Sequence, residues 1–394
     1  MTVKLRQVNS LLRRKKFDFV PPSHWRSLGH GDDYITEITN LQLSLMNYIR
    51  RPSRVINLQP INTGVHLQHD DLLSKLWKYF AIALIHRDDC GIDSFRIINV
   101  QLVPSVLAQL ARALKAKKIR TFVLHNNNFE SHGVVLAAKV LKENSTLNCM
   151  SLNFHQLDNV ESAIQLSDAL CEHPFLETLS LRYCSFWGGS IALSSIVSAC
   201  KNVKFLDLRN TGIGSEGAAI VARFLATNPN METINLSNNN FNDGGAEIIA
   251  RGLSTNTNLK LLYISRNPIF EAGKRALLKA IFDTTSLNAT IDSNHSCELI
   301  FDNIASAHDM AMLINNFTGK DTNRKRKIVF AIHDAVIGPS AFSLQNVPVQ
   351  LAPDVLGLIQ FGPLRYMSSS LMYNYSLTLT YEVMRCWLCG YLEG

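Results

Sequence analysis

A motif of eleven residues recurs along the chain at a nearly constant spacing, and no other feature constrains the fold as tightly. On the pattern L-x-x-L-x-L-x-x-N-x-L the copies are IRTFVLHNNNF from Ile119, LNCMSLNFHQL from Leu147, LETLSLRYCSF from Leu176, VKFLDLRNTGI from Val203, METINLSNNNF from Met231 and LKLLYISRNPI from Leu259. Their starts lie 28, 29, 27, 28 and 28 residues apart. Weaker copies flank them, IDSFRIINVQL from Ile92 and LNATIDSNHSC from Leu287. Within a copy, as in Leu206 to Leu208, apolar and polar residues alternate with period two, which predicts a short strand with leucines on one face. Between copies the spacing turns helical: Ala218, Val221, Ala222 and Leu225 fall on one face of a helix, and the segments NDGGAEIIARGLSTNTN and FEAGKRALLKAIFDTTS repeat the scheme. A strand and a helix in every unit predict an α/β solenoid, in which each repeat buries its apolar face against its neighbours. Leu206, Leu208 and Leu236 are therefore predicted core residues. The ninth position is Asn127, Asn239 and Asn267 in three copies, where an amide can satisfy backbone groups as the chain leaves the strand. His155, Cys184 and Thr211 replace it elsewhere, and Cys184 reads as a small buried thiol.

These six in-phase copies resemble the leucine-rich repeats of the ribonuclease-inhibitor-like class. The resemblance covers roughly residues 92 to 295 and implies a curved solenoid, or horseshoe, with parallel strands on the concave side and helices on the convex side. Residues 286 to 297, with Asn323-Arg-Lys-Arg-Lys327, are more loosely similar to the ends of such proteins in diatoms and related algae. The chain accordingly reads as a basic, flexible leader at 1–20, an N-terminal cap at 21–91, repeats at 92–297, a C-terminal helical cap at 298–364 and a tail at 365–394. The first cap holds Trp25, Trp77, Tyr79, Phe80 and a helical stretch DDLLSKLWKYFAIALIHRD. In the second, CELIFDNIASAHDMAMLINNF, NRKRKIVFAIHDA and LAPDVLGLIQFG read as helices.

Composition narrows the function. With 46% hydrophobic and 18% charged residues in 394, the chain is too apolar to be wholly disordered. No signal peptide is readable beside Arg13, Arg14, Lys15 and Lys16, and no apolar run approaches the roughly 20 residues that span a bilayer. Eight irregularly spaced cysteines fit reduced thiols, so the cytoplasm or nucleus is the expected location. Cys386-Trp-Leu-Cys389 lacks the second ligand pair that a zinc site needs. No phosphate loop, nucleophile elbow or metalloprotease motif is present. No catalytic residue, cofactor or metal is expected. Of the net charge of +7, residues 1 to 20 carry +5, and residues 119 to 286 balance at 14 basic and 14 acidic groups. Nucleic acid is therefore not the expected partner, because phosphate contacts demand a basic stripe. Arg13 to Lys16 and Arg324 to Lys327 read as solvated runs or nuclear-import signals.

A protein partner is expected instead. Strand side chains alternate faces, so the side turned from the core carries Val123, Ser151, Ser180, Asp207, Asn235 and Tyr263 at the fifth repeat position. The seventh adds His125, Asn153, Arg182, Arg209, Ser237 and Ser265, and the eighth adds Asn126, Phe154, Tyr183, Asn210, Asn238 and Arg266. Aromatic and guanidinium groups together are enriched in interface hot spots. The candidate partner-binding residues are Phe154, Arg182, Tyr183, Asp207, Arg209, Tyr263 and Arg266, in an interaction scaffold. The alternative is a GTPase-activating regulator of a small GTPase, because the Ran GTPase-activating proteins resemble this repeat type. Asp207→Ala is expected to be neutral within about ±0.5 kcal/mol unless the carboxylate pairs with a neighbour.

Overall fold

The computed structural model describes residues 19–51, 53–86, 91–115, 117–127, 130–153, 160–184, 190–301, 315, 319–324 and 327–328. Residues 1–18 of the leader, Phe154, His155, Cys386, Cys389 and the helix expected from Pro353 lie outside them, whereas Val20, read as part of a flexible leader, is buried. The chain divides into two compact units, residues 1–220 with 230–240 and residues 221–229 with 241–394.

The first unit opens with two helices, α1 (Pro22–Ser27) and α2 (Asp32–Arg50), followed by strand β1 (Val55–Leu58) and helix α3 (Asp71–Ile85). Trp25, Trp77 and Phe80 are buried here. The 21–91 segment also holds β1, which pairs in parallel with β2 (Ile92–Ile98) although it carries no recognisable copy of the repeat motif. Two buried polar residues tie the segment together. The Glu37 carboxylate accepts the backbone N–H groups of Ile61 and Asn62 at 2.8 and 2.9 Å, and Gln42 bonds both backbone groups of Val20.

From β2 the chain alternates helix and strand: α4 (Pro104–Ala113), β3 (Ile119–His125), α5 (Glu130–Glu143), β4 (Cys149–Asn153), α6 (Val160–Glu172), β5 (Thr178–Ser180), α7 (Ser190–Ala199), β6 (Phe205–Asp207), α8 (Ser215–Ala226) and β7 (Thr233–Asn235). Within the unit each strand pairs in parallel with the next, in chain order. Parallel neighbours joined by right-handed crossovers place the helices on one side of the sheet. The register aligns the fourth repeat position across the unit, so that Ile56, Phe95, Phe122, Met150, Leu179, Leu206 and Ile234 form one row. Every member is fully buried, as are Leu208 and Leu236. Burial of each such side chain contributes about 1.5–3 kcal/mol, which makes this row the spine of the unit. Phe95 and Phe122 stack within it, rings 5.7 Å apart and nearly parallel.

The ninth position works as the motif predicts. Asn127 Nδ2 donates to the Val100 carbonyl at 2.8 Å, and Asn239 Nδ2 donates to Leu208 of the preceding repeat at 2.8 Å and to Leu236 at 2.9 Å. Cys184 performs the same task with a thiol: fully buried, its Sγ lies 2.9 Å from the carbonyl of Leu152 one repeat earlier. A second set of amides bonds across the helix-to-strand turns, where Asn144 Nδ2 reaches the carbonyls of Leu114 and Val140.

The second unit contains α9 (Asp243–Ser254), β8 (Leu261–Tyr263), α10 (Glu271–Ile281), α11 (Leu287–Asp292) and β9 (Glu298–Ile300). Asn242 caps α9 by accepting from Gly245 N. Gly252 is required where α9 crosses Ala222, because an added Cβ would collide with the Ala222 backbone. Asn256 and Asn294 continue the amide contacts, to Leu225 at 2.9 Å and to Leu253 at 2.8 Å.

Here the repeat expectation needs two corrections. The copy proposed from Leu287 forms a helix, not a strand, because Ser286 caps it by accepting from Ala289 N at 3.0 Å and Thr290 Oγ1 bonds back to Asp283 and Ser286. The strand comes later, with Leu261 paired to Glu298 in parallel. Glu298–Ile300, expected to be helical, is therefore β9. Of the helix read from Asn323, residues 323–324 and 327–328 are helical, and the helix already runs from residue 320. Lys327, read as part of a solvated basic run, is fully buried, and its ammonium donates to the carbonyls of Ile281 and Asn294, which end α10 and follow α11.

Candidate functional site

The face of the first unit's sheet opposite the helices is built from three rows. The register places Arg96, Val123, Ser151, Ser180, Asp207 and Asn235 side by side at the fifth position. Parallel strands stand about 4.8 Å apart, so short side chains in this row shield one another. Ser151, Asp207 and Asn235 are buried, although the alternation turns them away from the core. Facing outward and being exposed are thus different properties on this surface.

A continuous polar network crosses it. His125 Nε2 lies 2.7 Å from Ser151 Oγ and 2.9 Å from Asn153 Nδ2. Asn153 Oδ1 then accepts from Ser180 Oγ and from the Arg182 backbone N–H, both at 3.0 Å. Burial, followed by the charges of Arg182 and Arg96, pushes the His125 pKa down to about 4, so the ring is neutral near pH 7. Asp207, 2% exposed, is gripped by Arg209, with Nε 3.0 Å from Oδ1 and Nη2 2.7 Å from Oδ2. Arg182 Nε stands 3.9 Å from the same Oδ2, and its buried N–H makes no hydrogen bond. The Arg182 guanidinium instead lies over the Tyr183 ring, 5.7 Å from its centroid.

The eighth position has a backbone feature that alternation does not reveal. Asn99, Asn126, Tyr183, Asn210, Asn238 and Arg266 all have φ between 52° and 56°. Asparagine visits this left-handed region readily, whereas other side chains lose about 1–2 kcal/mol there. Tyr183 and Arg266 occupy a strained position that four neighbours fill with asparagine, and Tyr183 is 40% exposed.

Of the candidates from sequence, Arg182, Tyr183, Asp207 and Arg209 come together in the first unit. Asp207 is an internal anchor for the arginines, not an exposed contact. Tyr263 and Arg266 lie in the second unit, half-buried and exposed respectively. Phe154 lies outside the described residues. Arg96 was missed, although it holds the fifth position of the weak copy from Ile92, which was the available signal.

Among the described residues, no group of three or more His, Cys, Asp or Glu side chains is placed to hold a metal ion. No helix among them is long and apolar enough to cross a membrane. The Leucine Rich repeat family profile matches residues 199–219 and 227–250. Among curated proteins none matches the chain. The matched segments, with parallel strands and alternating helices, fit a leucine-rich repeat protein with an α/β solenoid fold.

Proposed function

We propose that the protein is an interaction scaffold of the cytoplasm or nucleus that binds a protein partner through the strand face of its first unit, with Arg182, Tyr183 and Arg209 as its principal contacts. The observation that carries this reading is Tyr183, an exposed aromatic kept in a left-handed conformation beside two arginines in the turn just beyond β5. Strain of this kind is retained where it serves a function, and Tyr and Arg lead the residues that dominate interfaces. Buried Asp207 sets the orientation of Arg209, so part of the side-chain ordering that binding requires is already met. Phe154, at the eighth position of the preceding copy in the sequence, is kept as a candidate contact on the motif alone. Tyr263 and Arg266 form a separate candidate contact on the second unit.

The test is affinity purification from source cells with wild type beside an Arg182→Ala, Tyr183→Asn double variant, and with Phe154→Ala and Arg266→Ala as separate arms. Recovered proteins are read by mass spectrometry. A partner lost from the double variant but recovered with Arg266→Ala supports the assignment. Identical recoveries across all four would refute it.

A further inference from the structure

Resting on that reading of the face, we infer that the partner presents an extended acidic segment, whose carboxylates are received by Arg96 and Arg182 on either side of the His125–Asn153 network.

The strand rows of the first unit carry three guanidinium groups, Arg96, Arg182 and Arg209, against one carboxylate, Asp207. That carboxylate is internal and its oxygens are engaged by Arg209, so it offers little compensation to the other two. Arg96 is exposed, and its Nε bonds Ser94 Oγ at 2.9 Å. Arg182 approaches Asp207 only to 3.9 Å, and its side chain is 36% exposed. A guanidinium in this state favours a carboxylate, which accepts its forked donors in parallel. Between the two arginines, His125 and Asn153 add polar groups without charge, and the His125 pKa is held down partly by both arginines, the signature of a positive local field.

The acidic chain fits better than a nucleic acid because of what lies at the edge of the face. There the charges are balanced: Arg54 and Arg120 flank Asp93 at 2.8 and 4.0 Å, and Lys204 pairs with Glu177 at 2.6 Å. A polyanion with a charge on every residue would meet Asp93, Glu177 and Glu232, whereas a segment with two well-placed carboxylates avoids them. Arg96 on β2 and Arg182 just beyond β5 are three strands and two residues apart, which places them about 15 Å from each other. An extended peptide spans that distance in four to five residues, so two acidic residues separated by three or four others match the pair.

The experiment measures binding of the full-length protein to fluorescent synthetic peptides that carry two glutamates at varied spacing. The matching glutamine peptides and a single-stranded oligothymidine serve as comparisons, at low and physiological salt. The expected result is glutamate-dependent, salt-weakened binding, best at the predicted spacing. It should fall at least about tenfold in an Arg96→Gln, Arg182→Gln double variant and remain in Arg251→Gln, an exposed side chain of α9 with no place in the proposed surface. Arg96→Gln alone, on an exposed side chain, keeps the test valid if the double variant folds poorly. Equal binding of glutamine peptides, no loss in either variant, no binding of any acidic peptide, or tighter binding of the oligothymidine each overturns the inference. Failure here with a partner still lost from the Arg182→Ala, Tyr183→Asn protein would leave the scaffold reading standing and remove only the acidic segment.

Discussion

Arg209 closes over Asp207, two residues earlier on the same face, through three hydrogen bonds of 2.7 to 3.2 Å, and the carboxylate they hold is almost wholly removed from solvent. The two partners are not equivalent. Arg209→Ala leaves a buried charge whose nearest remaining cation, Arg182, is beyond hydrogen-bond range, and should destabilise the protein by about 2 kcal/mol. Asp207→Ala frees a guanidinium that is one-third exposed and can hydrate, so its loss should be about half as large. Chemical denaturation of both variants checks the order; a larger loss for Asp207→Ala would show that the carboxylate supports more than Arg209.

Tyr183 offers a trade between stability and binding. Tyr183→Asn puts at φ 56° the residue that Asn126, Asn210 and Asn238 already supply, and should raise stability by about 0.5–1 kcal/mol. The same variant should weaken partner capture. A loss of stability in thermal melts would mean that the tyrosine ring packs more favourably than its backbone is strained.

The solenoid was legible in the sequence because its determinants are local and periodic. Apolar residues at positions four and six mark every turn, an amide at position nine marks three of them, and Leu206, Leu208, Leu236 and Cys184 are all fully buried as their positions require. At both ends the period breaks. Strand β1 replaces leucine spacing with VINL, and the last interval is lengthened by α11, whose cap at Ser286 is a local signal that competes with the repeat register. The site was legible only as a pattern of faces. That Asp207 is internal follows from its neighbours' geometry, and the left-handed eighth position shows in sequence only as a recurring asparagine that Tyr183 and Arg266 interrupt. Arg96 was overlooked because its copy, from Ile92, fits the motif weakly and carries Val100 at the ninth position.

Among the described cysteines, reactivity should follow burial. Cys171 is exposed, whereas Cys200 is fully enclosed and its thiol is pushed up to about 12 by burial and then by nearby Cys171; burial likewise raises Cys297. Iodoacetamide at neutral pH should therefore modify Cys171 in the native protein and reach Cys200 and Cys297 only after denaturation, because the thiolate is the reacting form. Peptide mapping of the labelled protein checks this; early modification of Cys200 would show that the turn after α7 opens in the native state.

Stability should rise with pH in two separate windows. His125 and His295 are held at about 4 in the folded protein, in each case chiefly by burial. An unfolded histidine titrates near 6.5, so between about 4 and 6.5 the unfolded chain binds more protons, and acidification across that range favours unfolding. Lys327 is held at about 7, again chiefly by burial, against roughly 10.4 when unfolded. Between about 7 and 10.4 the unfolded chain again binds the extra proton, so stability climbs with pH until other groups intervene. Denaturation midpoints across the pH range should show both arms. His125→Gln should shrink only the acid arm, to about the share that His295 keeps, since a neutral amide can retain polar contacts to Ser151 and Asn153. Lys327→Met should flatten only the alkaline arm, because an uncharged side chain in the same volume carries no proton to release. An alkaline arm that persists in Lys327→Met would place the titrating group elsewhere and show that the ammonium between Ile281 and Asn294 stays charged throughout.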